Sequence, residues 1–104
     1  MDCVGFWEIT SMELYDKDDI DQEVTAYLEI NKNGSGNFQF GLVSGFIDGE
    51  FLKERFEFTW DGQDECDEAS GSGWLKVTNE TALVGSIKFH GGDKSTLEAK
   101  RKTK

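Results

Sequence analysis

Carboxylates are the residues of this sequence that could most readily do chemistry, and they are densest between Trp60 and Trp74. The segment WDGQDECDEASGSGW, residues 60–74, holds five acidic side chains within eight positions. These are Asp61, Asp64, Glu65, Asp67 and Glu68. Clustered carboxylates can bind a divalent cation, serve as a general acid or base, or form a solvated turn. Their spacing helps to decide between these roles.

The spacing of the acidic residues does not match a calcium loop. An EF-hand loop needs glycine at its sixth position and glutamate at its twelfth. Counted from Asp61, those positions are Cys66 and Ser72, and in the earlier acidic run, which starts at Asp16, the twelfth position is Tyr27. We therefore interpret residues 61–68 as a long, solvated hairpin loop, with no metal and no cofactor.

Cysteine and histidine are too sparse for a zinc site. Zinc ligands usually occur as closely spaced pairs, whereas this chain has only Cys3, Cys66 and His90. Two cysteines are also too few for a disulfide framework, so both are expected to be free thiols in a reducing compartment. A Cys3–Cys66 bridge is the alternative.

His90 is the best candidate for a general base. Aromatic residues are followed by Asp-containing or Gly-containing turns at three places: Phe46-Ile47-Asp48-Gly49, Trp60-Asp61-Gly62 and Phe89-His90-Gly91-Gly92-Asp93. If these turns meet at one end of the fold, His90 with Asp48, Asp61 or Asp93 would form a polar rim, and a histidine paired with a carboxylate can accept a proton near neutral pH. Since the chain has no Gly-x-Ser-x-Gly elbow, a hydrolase is the least favoured function.

The elements that must position these residues are predicted to be strands. Residues 23–32 and 36–46 alternate between apolar and polar side chains, and Asn33-Gly34 between them suits a hairpin turn. Residues 55–60 continue the alternation after a turn expected at 47–50. Two hairpins in all are therefore implied before the acidic segment.

Beyond the acidic segment the same period continues. Strands are expected at residues 74–77, 83–90 and 96–99, separated by turns at 79–80 and 90–93. The sequence therefore predicts consecutive short strands up to residue 99.

The first strand changes the parity of its apolar positions. Trp7 and Ile9 occupy odd positions, whereas Met12 and Leu14 occupy even ones. One β-bulge near Thr10 would turn all four side chains toward the core.

The fold class expected is all-β: a small single-domain antiparallel meander, closed or nearly closed into a β-barrel of about seven to eight strands. Twelve glycines and no proline suit this pattern. Closure covers both sheet edges; an open two-layer sandwich is the alternative, and a helical turn is expected only within residues 16–24. The domain is predicted to span residues 1–99, followed by a mobile basic tail at 100–104. The expected interior residues are Trp7, Ile9, Leu28, Ile30, Phe38, Phe40, Phe56, Phe58, Trp60, Trp74, Ile87 and Phe89.

Charge limits the choice of partners. The chain carries 21 acidic and 11 basic side chains, a net charge of −10. Such a field repels phosphate backbones and anionic membranes, so nucleic acid and membrane are excluded as main partners and a basic protein is favoured. No apolar run reaches the roughly 18 residues needed to cross a bilayer, and no secretory signal is evident, which predicts a cytoplasmic protein.

Two resemblances agree with this fold. Gly5-Phe6-Trp7 at the head of an antiparallel meander resembles the start of calycin barrels, of the lipocalin and avidin type. Over nearly its full length the chain also resembles a family of uncharacterised bacterial proteins, through GFWEITSMELYDKDDID, GSGNFQFGLVSGFIDG, FEFTWDGQDECDEASGSGW and LVGSIKFHGGDKS. That resemblance implies a shared fold and no assigned activity.

Two classes of function follow from these observations. The first is a binding module that takes a small apolar ligand at an aromatic-lined barrel mouth, with Trp7, Trp60, Trp74, Phe89 and His90 as its walls. The second is an acidic interaction or inhibitor-like protein that covers a basic partner with the carboxylates of residues 16–23 and 61–68. The candidate partner-binding carboxylates are Asp48, Asp61, Asp64, Glu65, Asp67, Glu68 and Asp93. A homodimer formed through an edge strand is a third expectation.

Overall fold

The computed structural model describes residues 2–102 and contains eight strands and one short helix. Their bounds are β1 Gly5–Met12, α1 Lys17–Ile20, β2 Tyr27–Ile30, β3 Ser35–Phe40, β4 Val43–Phe51, β5 Phe56–Asp64, β6 Asp67–Asn79, β7 Ala82–Phe89 and β8 Lys94–Lys102. The helical turn falls inside the segment where the sequence predicts one.

The eight strands form a closed antiparallel barrel. Each strand pairs with its neighbours in the sequence, and β8 returns to pair with β1, from Phe6 opposite Lys102 to Met12 opposite Leu97. The predicted meander barrel is confirmed. Because closure removes the edges of a sheet, the barrel within residues 2–102 offers no edge strand, and the expected route to a homodimer is wrong.

The predicted bulge in β1 is present. The register with β8 shifts between Ile9 and Ser11, and the shift turns Trp7, Ile9 and Met12 all toward the core. Leu14 follows the end of the strand and remains 49% exposed. The bulge therefore aligns three of the four expected side chains.

Large apolar side chains fill the barrel interior. Ten of the twelve residues expected there are buried, and the two exceptions are Trp74 and Phe89. Phe89 is half-buried and packs against the core. Trp74 lies on the outer face, because its neighbour Leu75 takes the inward position in β6. Trp74 was therefore wrongly placed in the core.

Glycines on the inner face make room for the aromatic rings. A Cβ on Gly45 would lie 2.8 Å from both the Phe38 and Trp60 rings, and one on Gly73 would lie 2.5 Å from Phe58. Each ring thus lies over a glycine of the neighbouring strand, and this close packing lets so narrow a barrel contain six buried aromatic side chains.

Two predicted turns are misplaced. The expected strand at 36–46 is broken by a turn at Gly41 and Leu42, where Gly41 has a φ of +56°. Because apolar residues lie on both sides of this turn, the sequence pattern did not indicate it. The turn expected at 47–50 is absent because β4 continues through it: Ile47 is buried, Asp48 points outward, and the chain reverses at 52–55.

The acidic segment is not a long loop. β5 and β6 stay paired up to Asp64 opposite Asp67, so that only Glu65 and Cys66 form the turn. Residues 63–68 are exposed on both faces of this hairpin, which means that it projects past the core and leaves its charges in water. Because apolar and polar side chains do not alternate in this segment, the sequence did not indicate that β5 and β6 remain paired here.

The basic residues near the C-terminus belong to the sheet. β8 extends to Lys102, so a tail beginning at residue 100 is wrong for residues 100–102; residues 103–104 lie outside the described part. Arg101 explains the extension. Its guanidinium donates to Val4 O at 2.7 Å and lies over the Trp7 ring, 4.3 Å from the centroid, which fixes β8 against the start of β1.

The connections alternate between the two ends of the barrel. We call the end that carries α1 the α1 end and define it by residues 13–26, 41–42, 64–67 and 90–93. The opposite end carries the turns at residues 31–34, 52–55 and 80–81.

Candidate functional site

Backbone hydrogen bonds tie the segments of the α1 end together. Gly41 N donates to Ile20 O at 2.6 Å, which joins the β3–β4 turn to α1. Glu65 N donates to Leu42 O at 2.9 Å, which joins the acidic hairpin to the same turn. Ile20, the last residue of α1, is buried. These bonds join three of the four segments of the α1 end, residues 13–26, 41–42 and 64–67, into one surface.

Lys17 and Asp21 fasten α1 to the barrel. Lys17 Nζ donates to Ile9 O at 3.3 Å and forms ion pairs with Glu8 and Asp21. The Asp21 carboxylate accepts a hydrogen bond from Ala26 N at 2.8 Å. Desolvation acts to raise the pKa of Asp21, but the Ala26 amide and the Lys17 ammonium outweigh it and hold that pKa below its usual value.

The α1 end is strongly acidic. Its four segments contain ten carboxylates and one lysine, Lys17, which is already paired with Asp21. A second lysine, Lys94, lies next to the last of these segments, residues 90–93. The turns of the opposite end contain three basic residues and two carboxylates. The two acidic runs of the sequence, which are some forty residues apart, thus contribute to the same face because the barrel topology brings them together.

A shallow apolar depression opens in the middle of this acidic end. It has a volume of about 260 Å³, and we call it the mouth depression. Its main lining residues are Tyr15, Phe40, Leu42 and Phe89, with Asp19 and Asp64 on the rim.

Aromatic contacts connect the mouth depression to the core. The rings of Tyr15 and Phe40 are 5.6 Å apart between centroids, and those of Phe40 and Phe89 are 6.4 Å apart. Desolvation, followed by the charges of Asp93 and Asp64, raises the pKa of the Tyr15 phenol above its ordinary value. Tyr15 therefore stays protonated, and its hydroxyl can donate, throughout the physiological range.

The residues expected to wall a ligand site do not surround a common space. Trp7 is 0% and Trp60 3% exposed, so no water-sized space of consequence touches either ring. Trp74 is outside the barrel, with the Arg55 guanidinium 5.2 Å from its ring centroid. Of the five residues predicted to wall the site, Phe89 alone lines the mouth depression. The barrel interior is a packed core at these positions and not a chamber.

The predicted polar residues divide between two surfaces. Asp64, Glu65, Asp67 and Asp93 belong to the α1 end. The remaining carboxylates line grooves on the outer face of the sheet, Asp61 and Glu68 in one groove and Asp48 in a second. His90 belongs to the α1 end and also lines the first of these grooves.

The first outer groove has a volume of about 980 Å³ and contains Phe46, which is 73% exposed. The His90 backbone N–H donates to Ser70 O at 2.7 Å. Within residues 2–102, however, the structure gives the His90 ring no hydrogen-bond partner, so no carboxylate orients it as a catalytic base would need.

The two cysteines lie at opposite ends of the barrel, with Cys3 before β1 and Cys66 in the β5–β6 turn. Cys3 and Cys66 are both free thiols. Burial raises the pKa of Cys3 to about 11, so this thiol remains protonated and unreactive at neutral pH.

The part of the chain that the structure describes contains no group of three or more potential metal ligands arranged to hold an ion. Over the same residues, 2–102, we find no helix with the length and apolar character to span a membrane.

Comparisons of the chain with protein-family models, with curated proteins and with solved structures find no match. The resemblances described from the sequence therefore remain predictions.

The sequence indicated the carboxylates of this end, including Asp19 within residues 16–23, but it did not indicate Tyr15 and Leu42 or that these groups lie together. Tyr15, Leu42 and Asp19 meet only because the Gly41 turn places Leu42 beside α1. Phe40 was recognised as a core residue, yet its ring also forms the floor of the mouth depression. Gly41 itself was the one available signal, since a glycine after an alternating strand can mark a reversal.

Proposed function

We propose that this protein is a non-enzymatic interaction protein that binds a positively charged surface of a protein partner through its α1 end. The observation that carries the proposal is the gathering of ten carboxylates at one end of the barrel with a single, already paired lysine. The second hypothesis from the sequence, an acidic protein that covers a basic partner, is thus favoured over a ligand chamber, because Trp7 and Trp60 are enclosed by protein atoms and Trp74 lies on the outer face.

The separation of charge along the molecule supports binding of a basic partner through the α1 end. The longest dimension of the molecule is 35 Å, whereas charges are screened over about 8 Å at physiological ionic strength. A basic partner that approaches the α1 end therefore experiences little of the positive charge at the opposite end. Complementary fields of this kind accelerate association and select the face that docks.

Octalysine is a suitable probe for the proposed surface. We expect the triple variant Asp18→Asn, Glu23→Gln, Asp67→Asn to bind octalysine roughly tenfold more weakly than the wild type at low salt, as the loss of three favourable exposed charge contacts implies. Isothermal titration calorimetry measures the difference. Raising the salt to about 1 M, where screening acts within about 3 Å, should abolish binding of both proteins.

A matched control separates position from total charge. The triple variant Glu50→Gln, Glu54→Gln, Glu80→Gln removes the same number of charges, and these three side chains are exposed and lie at or near the opposite end. It should bind octalysine nearly as well as the wild type. Equal weakening in both triples would show that octalysine responds to net charge alone and would overturn the proposal.

A further inference from the structure

The mouth depression gives the α1 end an apolar surface in addition to its negative charge. Its floor is formed by aromatic and aliphatic side chains, Tyr15, Phe40, Leu42 and Phe89, and its rim by Asp19 and Asp64. An apolar depression with anionic groups on its rim is complementary to a group with an apolar stem and a cationic head. Lysine and arginine side chains have that build.

We infer that the mouth depression is a subsite for one lysine or arginine side chain of the basic protein partner. This inference rests on the proposed function, and it specifies what the partner must present: one protruding basic side chain among its positive charges. The methylene stem lies against Leu42 and the rings, while the cationic head reaches the carboxylates of Asp19 and Asp64.

The size of the mouth depression fits a single side chain. Pockets for drug-sized ligands have volumes of roughly 300–1,000 Å³, and this one measures about 260 Å³. The depression is therefore too small to enclose a large ligand, and it opens on the acidic surface that would attract the partner.

The aromatic lining adds attraction for a cation. The faces of aromatic rings carry partial negative charge, and a cation within about 6 Å of a ring centroid is stabilised by it. Tyr15 and Phe89 are both only half-buried at this site, so parts of their rings are open to an incoming head group. The same two rings contact Phe40 or Trp60 on their inner sides, which holds them in place.

The binding of octalysine to isotope-labelled protein tests the inference. In NMR titrations we expect the ring resonances of Tyr15 and Phe89 to shift along with the backbone amides of α1, with one common dissociation constant. Leu42→Ser, which keeps every charge, should weaken octalysine binding roughly tenfold, the change expected when one or two methylene groups lose their apolar contact. The salt dependence of its binding should be unchanged, because the number of ion contacts is the same.

Leu52→Ser is the matched control, since Leu52 is a 43% exposed leucine in a turn at the opposite end. It should bind octalysine as the wild type does. If octalysine perturbs the α1 amides but leaves the Tyr15 and Phe89 rings unshifted, and Leu42→Ser binds normally, the subsite is overturned and the proposed function stands. If octalysine does not prefer the α1 end, both fail. The ring shifts in the wild type decide the matter even if Leu42→Ser is unstable.

Discussion

Gly45 lies on the inner face of β4 beneath two aromatic rings. A Cβ at this position would approach both Phe38 and Trp60 to 2.8 Å, and neither ring can retreat because both are buried. We expect Gly45→Ala to lower the free energy of unfolding by about 1–3 kcal/mol, as overpacking of a dense core does. Urea unfolding monitored by tryptophan fluorescence measures this value.

The neighbouring residue provides the control for that substitution. Ser44 is exposed on the outer face of the same strand, so Ser44→Ala should change the free energy of unfolding by no more than about 0.5 kcal/mol. If Gly45→Ala were equally harmless, the rings would have free space behind them, and the packed interior described above would be wrong.

Asp21 makes a pH-dependent contribution to stability. Its pKa is lower in the folded protein than its ordinary value of 3.8, so its contribution is present above that value and is lost as pH falls through the folded-state pKa. At neutral pH we expect Asp21→Asn, which removes the ion pair with Lys17, to be less stable by about 0.5–1 kcal/mol.

Urea unfolding of both proteins from pH 7 to below pH 3 checks this sign. The gap between wild type and Asp21→Asn should close as the wild-type carboxylate becomes protonated. A gap that stays constant over the acid range would contradict the role of the ionised carboxylate in fastening α1.

At the scale of elements, the β5–β6 turn carries local strain. Glu65 has a φ of +61°, a region that costs a residue with a side chain roughly 1–2 kcal/mol and that glycine adopts freely. We therefore expect Glu65→Gly to raise the free energy of unfolding by about 0.5–1 kcal/mol, since the added freedom of the unfolded chain offsets part of the relief. Thermal unfolding followed by circular dichroism measures the shift.

Cys66, the second residue of that turn, gives the comparison. It has no positive φ, so Cys66→Gly only increases the freedom of the unfolded chain and should destabilise the protein slightly. Stabilisation by both substitutions would indicate that backbone conformation is not the cause.

The elements also show what could be predicted from sequence. Strands with one buried face were found, because alternation of apolar side chains is set by the period of the strand itself. The bulge in β1 was found for the same reason: the parity of its apolar positions changes at Thr10. The closed barrel then followed from strand number, glycine content and the need to cover two edges.

Positions that depend on contacts between strands were missed. Gly49 follows Asp48 like a turn residue, yet it lies inside β4, paired with β5, and the Phe56 ring of β5 occupies the space that a side chain would need. Likewise, the mouth depression requires Leu42 to meet α1 across the barrel. No local pattern records such a meeting, whereas the carboxylates that surround it were visible from the start.

At the scale of the whole molecule, charge and shape act together. The net charge of −10 is a property of composition, but only the barrel topology turns it into a directional field with an acidic α1 end. Both proposals depend on this direction. An open sheet with the same composition would scatter the same carboxylates and would have no mouth at which an apolar floor meets an acidic rim.

The pairing of β1 with β8 has a consequence for how the protein folds. It joins the first strand to the last, with Phe6 opposite Lys102, so nearly the whole chain must close into one loop before these contacts form. Loop closure over long separations is entropically costly, and folds dominated by such contacts form slowly. Once the ring is complete, however, no strand can leave without opening it. Resistance to local unfolding is then shared by the entire ring and does not belong to any single hairpin.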